Sequence, residues 1–176
     1  MRPIPNPSIL DIAPYVGGKS SAKQGVRVVK LSSNETPLGA SPAAISAYKE
    51  AAGSLHRYPD GTALKLREAI GDVYGIDAKN IVCGAGSDEL IGLLVHGYVA
   101  AGDDVVISEH GFLMYKIYAQ SVGANVISAR EKNLTNNVDS LLAAVTAKTK
   151  IVFIANANNP TGTYISASEI DRKSVV

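Results

Sequence analysis

Apolar positions in this chain form short continuous runs that alternate with longer stretches in which apolar residues recur every three to four positions. The short runs are typical of buried strands, and the longer stretches are typical of amphipathic helices. The run at residues 151–154, Ile-Val-Phe-Ile, is apolar throughout, as expected for a strand in the middle of a parallel sheet. Strands separated by helices of this length predict an α/β fold of right-handed βαβ units, with helices on both faces of a parallel-rich sheet.

The same pattern gives approximate bounds for each element. Predicted strands lie at residues 26–31, 81–83, 105–107, 125–128 and 151–154. Predicted helices lie at residues 41–52, 62–75, 90–99, 112–122 and 138–145, with Ser41 and Thr62 as N-caps and Gly53 and Gly75 as ends. A Ser-x-x-Glu capping box at residues 166–169 predicts that another helix begins there. Residues 1–25 hold four of the eight prolines and are predicted to form an arm or irregular segment.

Composition narrows the class of protein. The chain has 176 residues, with 17 Lys and Arg against 16 Asp and Glu, so its formal net charge is +1. This length fits one globular domain, and the balanced charge gives no reason to expect a nucleic acid or an anionic membrane as partner. The first residues lack the apolar core of a signal peptide, and Cys83 is the only cysteine. We therefore expect a cytoplasmic location, with Cys83 buried and unreactive.

The first candidate site is the glycine-rich turn at residues 84–89, Gly-Ala-Gly-Ser-Asp-Glu, between a predicted strand and a predicted helix. Glycines let the backbone turn sharply and approach a ligand closely, and the N-terminus of the following helix offers free N–H groups to a phosphate. Gly-x-Gly is a common pattern, however, and Asp88 and Glu89 can complement the helix dipole themselves. Taken alone, the turn leaves phosphate binding and simple dipole compensation equally open.

The second candidate is the loop at residues 158–162, Asn-Asn-Pro-Thr-Gly, which follows the predicted strand at 151–154. Ligands of parallel sheets bind beyond the carboxyl ends of the strands, where an asparagine can donate to an oxyanion. An ordinary Asn-Pro turn is the alternative. Phe112 lies just after another predicted strand and can stack on a flat ring, whereas Tyr115 and Tyr118 are expected to pack in the core. The histidines show no spacing typical of metal ligands.

These segments are part of a series of six short motifs that occur in order along the chain. The set comprises Pro-Tyr-Val-Gly-Gly-Lys at 14–19, Lys-Leu-Ser-Ser-Asn-Glu-Thr-Pro-Leu-Gly at 30–39, Arg-Tyr-Pro-Asp-Gly at 57–61, the turn at 84–89, Phe-Leu-Met-Tyr at 112–115 and the loop at 158–162. Together they resemble the histidinol-phosphate aminotransferases, a family of fold-type-I enzymes that depend on pyridoxal 5'-phosphate. Any one segment is weak, but six in order are typical of the aminotransferase superfamily, and those at 30–39 and 57–61 favour this family.

The resemblance implies roles in binding the cofactor. Backbone N–H groups of Ser87 and Asp88 would hold its phosphate. Phe112 would stack on the pyridine ring, and Asn159 would form a hydrogen bond with the ring's phenolate oxygen. Tyr58 would reach the cofactor phosphate of a partner subunit, so the resemblance also implies a homodimer.

The family reaction moves an amino group between histidinol phosphate, whose keto form is imidazole acetol phosphate, and the glutamate–2-oxoglutarate pair. Tyr15 and Asn34 would lie toward the substrate. In the family, the Schiff-base lysine, the aspartate that keeps the pyridine nitrogen protonated and the substrate-binding arginines follow the Asn-Pro-Thr-Gly loop by some distance. Lys173 is too close to that loop to be assigned as the lysine, so we assign no catalytic residue in this chain.

We therefore predict an N-terminal fragment that is inactive by itself. Residues 1–55 would form the N-terminal arm and part of the small domain, and residues 56–176 would form the first portion of an incomplete, cofactor-binding large domain. Residues 155–157, Ala-Asn-Ala, and residues 172–176, Arg-Lys-Ser-Val-Val, depart from the family pattern.

Other interpretations stay open. Aromatic-amino-acid aminotransferases and threonine-phosphate decarboxylase share these motifs, and the substrate-binding arginines would discriminate them. A nicotinamide-binding Rossmann domain around residues 84–86 requires a third glycine where Glu89 stands, so the sequence disfavours it. A truncated product without catalytic activity, which only assembles with other chains, is a further alternative.

Overall fold

The computed structural model describes residues 4–16 and 33–171 of the chain. Contacts divide the chain into two compact units, Met1–Ala13 with Cys83–Val176, and Pro14–Val82. The predicted boundary between residues 55 and 56, which divides the N-terminal arm and part of the small domain from the large domain, stays a prediction. The strand predicted at residues 26–31 lies outside the described residues.

The described elements follow the predicted order. The helices are α1 Pro7–Leu10, α2 Pro42–Ala51, α3 Leu64–Tyr74, α4 Gly86–Tyr98, α5 Leu113–Ser121, α6 Val138–Ala143 and α7 Ala167–Asp171. The strands are β1 Asp104–Ser108, β2 Asn125–Ala129 and β3 Thr149–Val152. Short 3₁₀ turns at Ala52–Ser54 and Ala78–Asn80 follow α2 and α3.

The serine N-caps of α2 and α7 are confirmed. The side chain of Ser41 accepts the backbone N–H of Ala44 at 3.2 Å, and proline occupies the first turn of α2, where its missing N–H costs nothing. At α7, the backbone N–H of Ser166 donates to Glu169 Oε2 at 3.0 Å, and the backbone N–H of Glu169 donates to Ser166 Oγ at 3.3 Å. This reciprocal pair is the capping box that the sequence predicts.

The start of α3 differs from the prediction. Asp60 caps this helix, because its carboxylate accepts the backbone N–H groups of Thr62 at 2.9 Å and Leu64 at 3.0 Å. These hydrogen bonds, with that of Leu64 first, hold the pKa of Asp60 below its ordinary value. Thr62 is therefore the wrong cap, since a carboxylate two residues earlier forms stronger, charge-assisted bonds to the first turn. The predicted end is confirmed: Gly75 has φ +68° and donates to the Gly71 carbonyl at 2.8 Å.

Three other expectations are wrong. Residues 81–83 are not a strand: Ile81 is extended, with φ −111° and ψ 128°, but the segment pairs with no strand in the described part of the chain, and a strand needs a hydrogen-bonded neighbour. The predicted irregular segment contains α1, where the side chain of Asn6 accepts the N–H of Ser8 at 3.3 Å. Cys83 is half-buried rather than buried, because it belongs to the unpaired segment and not to a central strand.

The described strands form one parallel sheet in the order β2-β1-β3. Strand β1 pairs with β2 along its whole length and with β3 on its other side, with a register irregularity between Asp104 and Val105. All five residues of β1 are buried, as expected for a strand between two neighbours. The predicted parallel sheet is confirmed.

Both faces of the sheet are covered, because alternate residues of β1 point in opposite directions. Val105 and Ile107 pack in one cluster with residues of α4 and α5. Val106 packs in a second cluster with Leu141 of α6. Each such buried side chain contributes about 1.5–3 kcal/mol relative to an exposed one, so the helices hold β1 firmly and fix the loops at its end.

The described residues carry no sign of a membrane span or a metal centre. No helix among them is long and apolar enough to cross a membrane. No group of three or more His, Cys, Asp or Glu side chains among them could hold a metal ion. In parallel sheets, ligands bind beyond the carboxyl ends of the strands.

Candidate functional site

Strands β1 and β3 run parallel, so their carboxyl ends lie at the same edge of the sheet. After β1, residues 109–112 lead into α5, and after β3 the chain forms the loop at residues 153–163. Helix α4, which carries the glycine-rich turn at its N-terminus, packs against α5. The structure thus places these candidate segments in one compact unit.

The N-terminus of α4 is suited to bind an anion. Ala85 occupies the N-cap position and makes no side-chain capping bond, and the first N–H groups of any helix have no partner inside it. Gly86 adopts φ +80°, and a β-carbon there would meet no atom within 4 Å, so the turn faces open space. The amides of Ser87 and Asp88 follow directly, at the positive end of the helix dipole.

Glu89 already uses part of this turn. Its Oε2 accepts the backbone N–H of Ala85 at 2.6 Å. A β-carbon on Gly84 would lie 2.9 Å from that same oxygen and 3.1 Å from Leu90 Cδ2, so this glycine is required by close packing. Glu89 therefore compensates the charge of its own turn, as one of the two interpretations of the sequence expects. The amides of Ser87 and Asp88 remain available to a ligand.

Phe112 immediately precedes α5 and is half-buried. Its ring meets that of Tyr115 edge to face, with centroids 5.7 Å apart and planes at 88°. Tyr115 in turn stacks on Phe153, which follows β3, at 4.4 Å. Burial raises the pKa of Tyr115, and both Tyr115 and Tyr118 pack against the core cluster, as predicted. The Tyr115 ring thus packs against Phe112, which stays partly exposed to solvent.

The two asparagines of the second loop have different environments. Asn158 is only 3% exposed; its Nδ2 donates to Thr161 Oγ1 at 3.0 Å and to the His110 carbonyl at 3.4 Å. Asn159 is half-buried, and its carboxamide forms no hydrogen bond with the described residues. Asn159 is therefore the one whose amide is available to a ligand, and Asn158 joins its loop to the segment that carries Phe112.

Sequence reasoning missed three residues at this edge, namely Asn158, His110 and Glu131. The side chain of Glu131 is 2% exposed and pairs with the imidazole of His110 at 3.0 Å. Their positions in the sequence indicated that they lie near the carboxyl edge of the sheet, because each follows a predicted strand. Their partners, however, lie 21 and 48 residues away along the chain, which no local pattern reveals.

The remaining predicted site residues lie in the Pro14–Val82 unit. Tyr58 is fully exposed and Tyr15 is 59% exposed. Asn34 is exposed and has φ +51°, a conformation that asparagine tolerates better than most residues. Their roles toward a substrate or a partner subunit stay predictions.

The residues of the first unit fit a flat, phosphorylated ring such as pyridoxal phosphate. The open turn at Gly86 offers unpaired amides to a phosphate, the accessible face of Phe112 suits a planar ring, and the Asn159 carboxamide suits a ring oxygen. Ser87 and Asp88 are exposed, and Phe112 and Asn159 are half-buried. Phe112 and Asn159 follow β1 and β3, whose carboxyl ends lie at the same edge of the sheet.

Comparisons with known proteins relate the chain to the aminotransferases. The family model for class I and II aminotransferases matches residues 26–172. A histidinol-phosphate aminotransferase of Rhodopseudomonas palustris strain TIE-1 is 59% identical over 172 residues, which cover 97% of this chain and 47% of the relative. One from Paramagnetospirillum magneticum is 57% identical over 170 residues, with the same coverage.

The crystal structure of histidinol-phosphate aminotransferase from Sinorhizobium meliloti, in complex with pyridoxal-5'-phosphate, has a TM-score of 0.78 and 28% identity over 81% of this chain and 39% of that one. The chain spans about half the length of the curated relatives that it matches.

Proposed function

Because the chain belongs to the class I and II aminotransferase family, we propose that it serves amino-group transfer between histidinol phosphate and 2-oxoglutarate, with pyridoxal phosphate as cofactor. Members of this family are transferases that use that cofactor. The observation that most supports the substrate is the 59% identity to a named histidinol-phosphate aminotransferase over 97% of the chain. In this proposal the chain provides the phosphate and ring contacts of the cofactor.

The phosphate would bind at the start of α4. The backbone N–H groups of Ser87 and Asp88 would donate to its oxygens, and the helix dipole would favour its negative charge. Gly86, with φ +80° and open space beside it, lets the phosphate approach the main chain. The carboxylate of Glu89 stays turned toward the Ala85 amide, so it bonds within its own turn and leaves the next amides to the phosphate.

The ring would lie between the two sheet-end loops. When bound, pyridoxal phosphate supplies the electron sink for breaking a bond at the carbon that carries the amino group. Phe112 would cover one face of the ring and exclude water from it, supported by its edge-to-face contact with Tyr115. Asn159 would donate a hydrogen bond to the ring oxygen and stabilise negative charge there.

Three residues of the Pro14–Val82 unit also have proposed roles. In the proposal, Tyr58 reaches the phosphate held by a partner subunit, which requires a homodimer. Its complete exposure is compatible with a role outside its own unit. Tyr15 and Asn34 would face the substrate, and the enzyme would work in the cytoplasm.

No lysine of this chain is assigned to the bond with the cofactor. The chain matches about half of each relative, and we place the lysine, the aspartate for the pyridine nitrogen and the substrate arginines in the part of the relatives that the chain does not match. The residues described above would therefore bind and orient the cofactor, while proton transfer at the substrate would require the other half.

A chimaera tests the substrate. In it, this chain replaces the matched part of the Rhodopseudomonas palustris relative, which keeps its own unmatched half. We expect transamination of histidinol phosphate at a rate comparable to that of the relative itself. The variant Asn159→Ala should lower kcat/KM by at least about tenfold, because a hydrogen bond to developing charge is lost.

Asn125→Ala is the control variant, because Asn125 lies at the opposite end of the sheet and should leave turnover unchanged. A folded chimaera that transaminates only aromatic amino acids, or that decarboxylates threonine phosphate, would assign the chain to one of those related families instead. A folded chimaera without any of these activities would contradict the proposal.

A further inference from the structure

The buried carboxylate of Glu131 holds the segment that carries Phe112. Its Oε1 accepts the backbone N–H of His110 at 3.1 Å, and its Oε2 lies 3.0 Å from Nδ1 of the same histidine. The Glu131 side chain is 2% exposed, whereas that of His110 is 49% exposed. A buried carboxylate is costly unless hydrogen bonds compensate it, and here both oxygens bond to one residue. Glu131 therefore fixes the main chain and the side chain of His110 together.

The turn between His110 and Phe112 transmits that constraint. The backbone N–H of Gly111 donates to the Ser108 carbonyl at 3.0 Å. A β-carbon on Gly111 would lie 3.0 Å from Ser108 Oγ and 3.1 Å from Ser108 O, so the turn has no room for a side chain. Because this turn is compact, the position of His110 sets the position of Phe112 two residues later.

Asn158 contacts the same segment from the other loop. Its Nδ2 donates to the His110 carbonyl, and it closes its own loop through the main chain: its N–H donates to the Thr163 carbonyl at 2.7 Å, and its carbonyl accepts the Gly162 N–H at 2.8 Å. A side chain that is 3% exposed has little freedom to adopt another rotamer. Asn158 thus ties the loop that carries Asn159 to the segment that carries Phe112.

We propose that Glu131, His110 and Asn158 form a positioning relay between the two loops. The relay sets the spacing between Phe112 and Asn159, the residues that contact the cofactor ring under the proposed function, on which this inference rests. None of the three relay residues is assigned a contact with the ring. Their effect is on how well the ring is held, and the phosphate contacts at the start of α4 do not depend on them.

A matched control exists at the other end of the sheet. There the Asn125 carboxamide donates to Asp104 Oδ1 at 3.0 Å and to the Gly102 carbonyl at 3.3 Å. Each of Asn125 and Asn158 donates two hydrogen bonds from its carboxamide, and at least one of them reaches a neighbouring strand end. Asn158 lies at the carboxyl edge and Asn125 at the amino edge, so the loss of Asn158, and not that of Asn125, should affect a ring ligand.

The test measures two ligands on the 176-residue chain. Pyridoxine 5'-phosphate carries the ring and the phosphate but has no aldehyde to react with surface lysines, and inorganic phosphate carries the phosphate alone. Asn158→Ala should weaken pyridoxine 5'-phosphate binding about five- to tenfold, the size of one lost hydrogen bond. Binding of inorganic phosphate should not change, and Asn125→Ala should alter neither affinity.

Glu131→Gln provides a second variant, which keeps the size of the side chain and an acceptor for the His110 N–H. We expect a smaller loss of pyridoxine 5'-phosphate affinity in the same direction. The double variant should lose less than the sum of the two single losses, because residues of one network are not additive. If Asn158→Ala does not fold, the Glu131→Gln result decides alone.

The outcomes separate the relay from the proposed function. Equal affinity for pyridoxine 5'-phosphate in the wild type and in the folded relay variants overturns the relay and leaves the proposed function intact. A parallel loss of inorganic phosphate binding also overturns it, because the residues would then support the fold in general. A wild-type chain that binds pyridoxine 5'-phosphate no more tightly than inorganic phosphate overturns the proposed function, and the relay with it.

Discussion

At the scale of single residues, the lack of a side chain at Gly92 decides how closely α4 and α5 pack near the glycine-rich turn. A β-carbon on Gly92 of α4 would lie 2.8 Å from Cε1 of Tyr118 of α5. The Tyr118 hydroxyl donates to Asp88 Oδ2 at 3.4 Å. Burial and, after it, the nearby Asp88 carboxylate raise the pKa of Tyr118. Gly92 therefore lets a tyrosine ring lie flat along α4 and reach its first turn.

Gly92→Ala should destabilise the chain by about 1–3 kcal/mol, because the added methyl group would lie 2.8 Å from the Tyr118 ring, so that the ring or the helix must shift. Gly97→Ala is the matched control on the same helix, where a β-carbon would meet no atom within 4 Å. That change should be neutral or stabilising by up to about 1 kcal/mol, since alanine favours the helix. Urea unfolding of the two variants checks this, and equal stability would show that the Tyr118 ring does not rest on Gly92.

The residues predictable from sequence are those whose role follows from local position. The free amides at Ser87 and Asp88 follow from their position at the start of a helix, because the first N–H groups of any helix lack partners inside it, and their role toward a phosphate stays a prediction. Asn158 and Glu131 could not, since their partners lie far away in sequence and only the sheet brings them together. The glycine turn alone also left open whether Glu89 competes for the amides, which depends on the rotamer of its side chain.

At the scale of elements, a buried acid fixes the amino end of the sheet. Asp104 of β1 is 7% exposed. It accepts a hydrogen bond from Thr146 Oγ1 at 2.6 Å, before β3, and another from Asn125 of β2 at 3.0 Å. These bonds, with that of Thr146 first, hold the pKa of Asp104 below its ordinary value of 3.8. One carboxylate thus connects the beginnings of all three described strands.

The pH dependence of stability tests that connection. A native pKa below the unfolded one contributes stability that is present above the unfolded value and is lost as pH falls through the native value. Asp104→Asn should therefore lower the unfolding midpoint at pH 7, and the difference from wild type should shrink as the pH falls below about 4. Asp72→Asn, at an exposed position of α3, is the control. A difference that stays constant down to pH 2 would contradict the assigned hydrogen bonds.

Periodicity predicted the elements well where burial alone decides the structure, as in β1, with five buried residues, and in α4. It was wrong at residues 81–83, because an apolar run becomes a strand only if a neighbour offers its backbone groups. It was also wrong at the start of α3, where the Asp60 carboxylate, and not the Thr62 side chain, accepts the Leu64 N–H. Both errors involve choices between hydrogen-bond partners, which an apolar pattern does not record.

At the scale of the whole molecule, the family match excludes the nicotinamide-binding alternative, and its extent defines what the chain can do. The chain carries the turn and the loops that we propose to bind the cofactor, but it spans about half of its relatives. Among the described residues, β3 has a neighbouring strand on one side only. We infer that both halves of the family fold contribute contacts to the cofactor and that proton transfer requires the half that this chain does not match.

The isolated 176-residue chain should therefore be inactive. We assign no residue of this chain to proton transfer at the substrate carbon. We expect transamination of histidinol phosphate no faster than with pyridoxal phosphate alone, whereas the chimaera described above is active. Turnover by the purified chain at the rate of the chimaera would show that the catalytic base lies within these residues.

The most direct measurement is the change in backbone amide shifts when the isotopically labelled chain is titrated with pyridoxine 5'-phosphate. We expect the amides of Ser87, Asp88, Phe112 and Asn159 to move together with a single affinity, whereas inorganic phosphate moves only the first two. Shifts scattered over other surfaces, or shifts at the start of α4 without any at Phe112 and Asn159, would contradict a shared site for the ring and its phosphate.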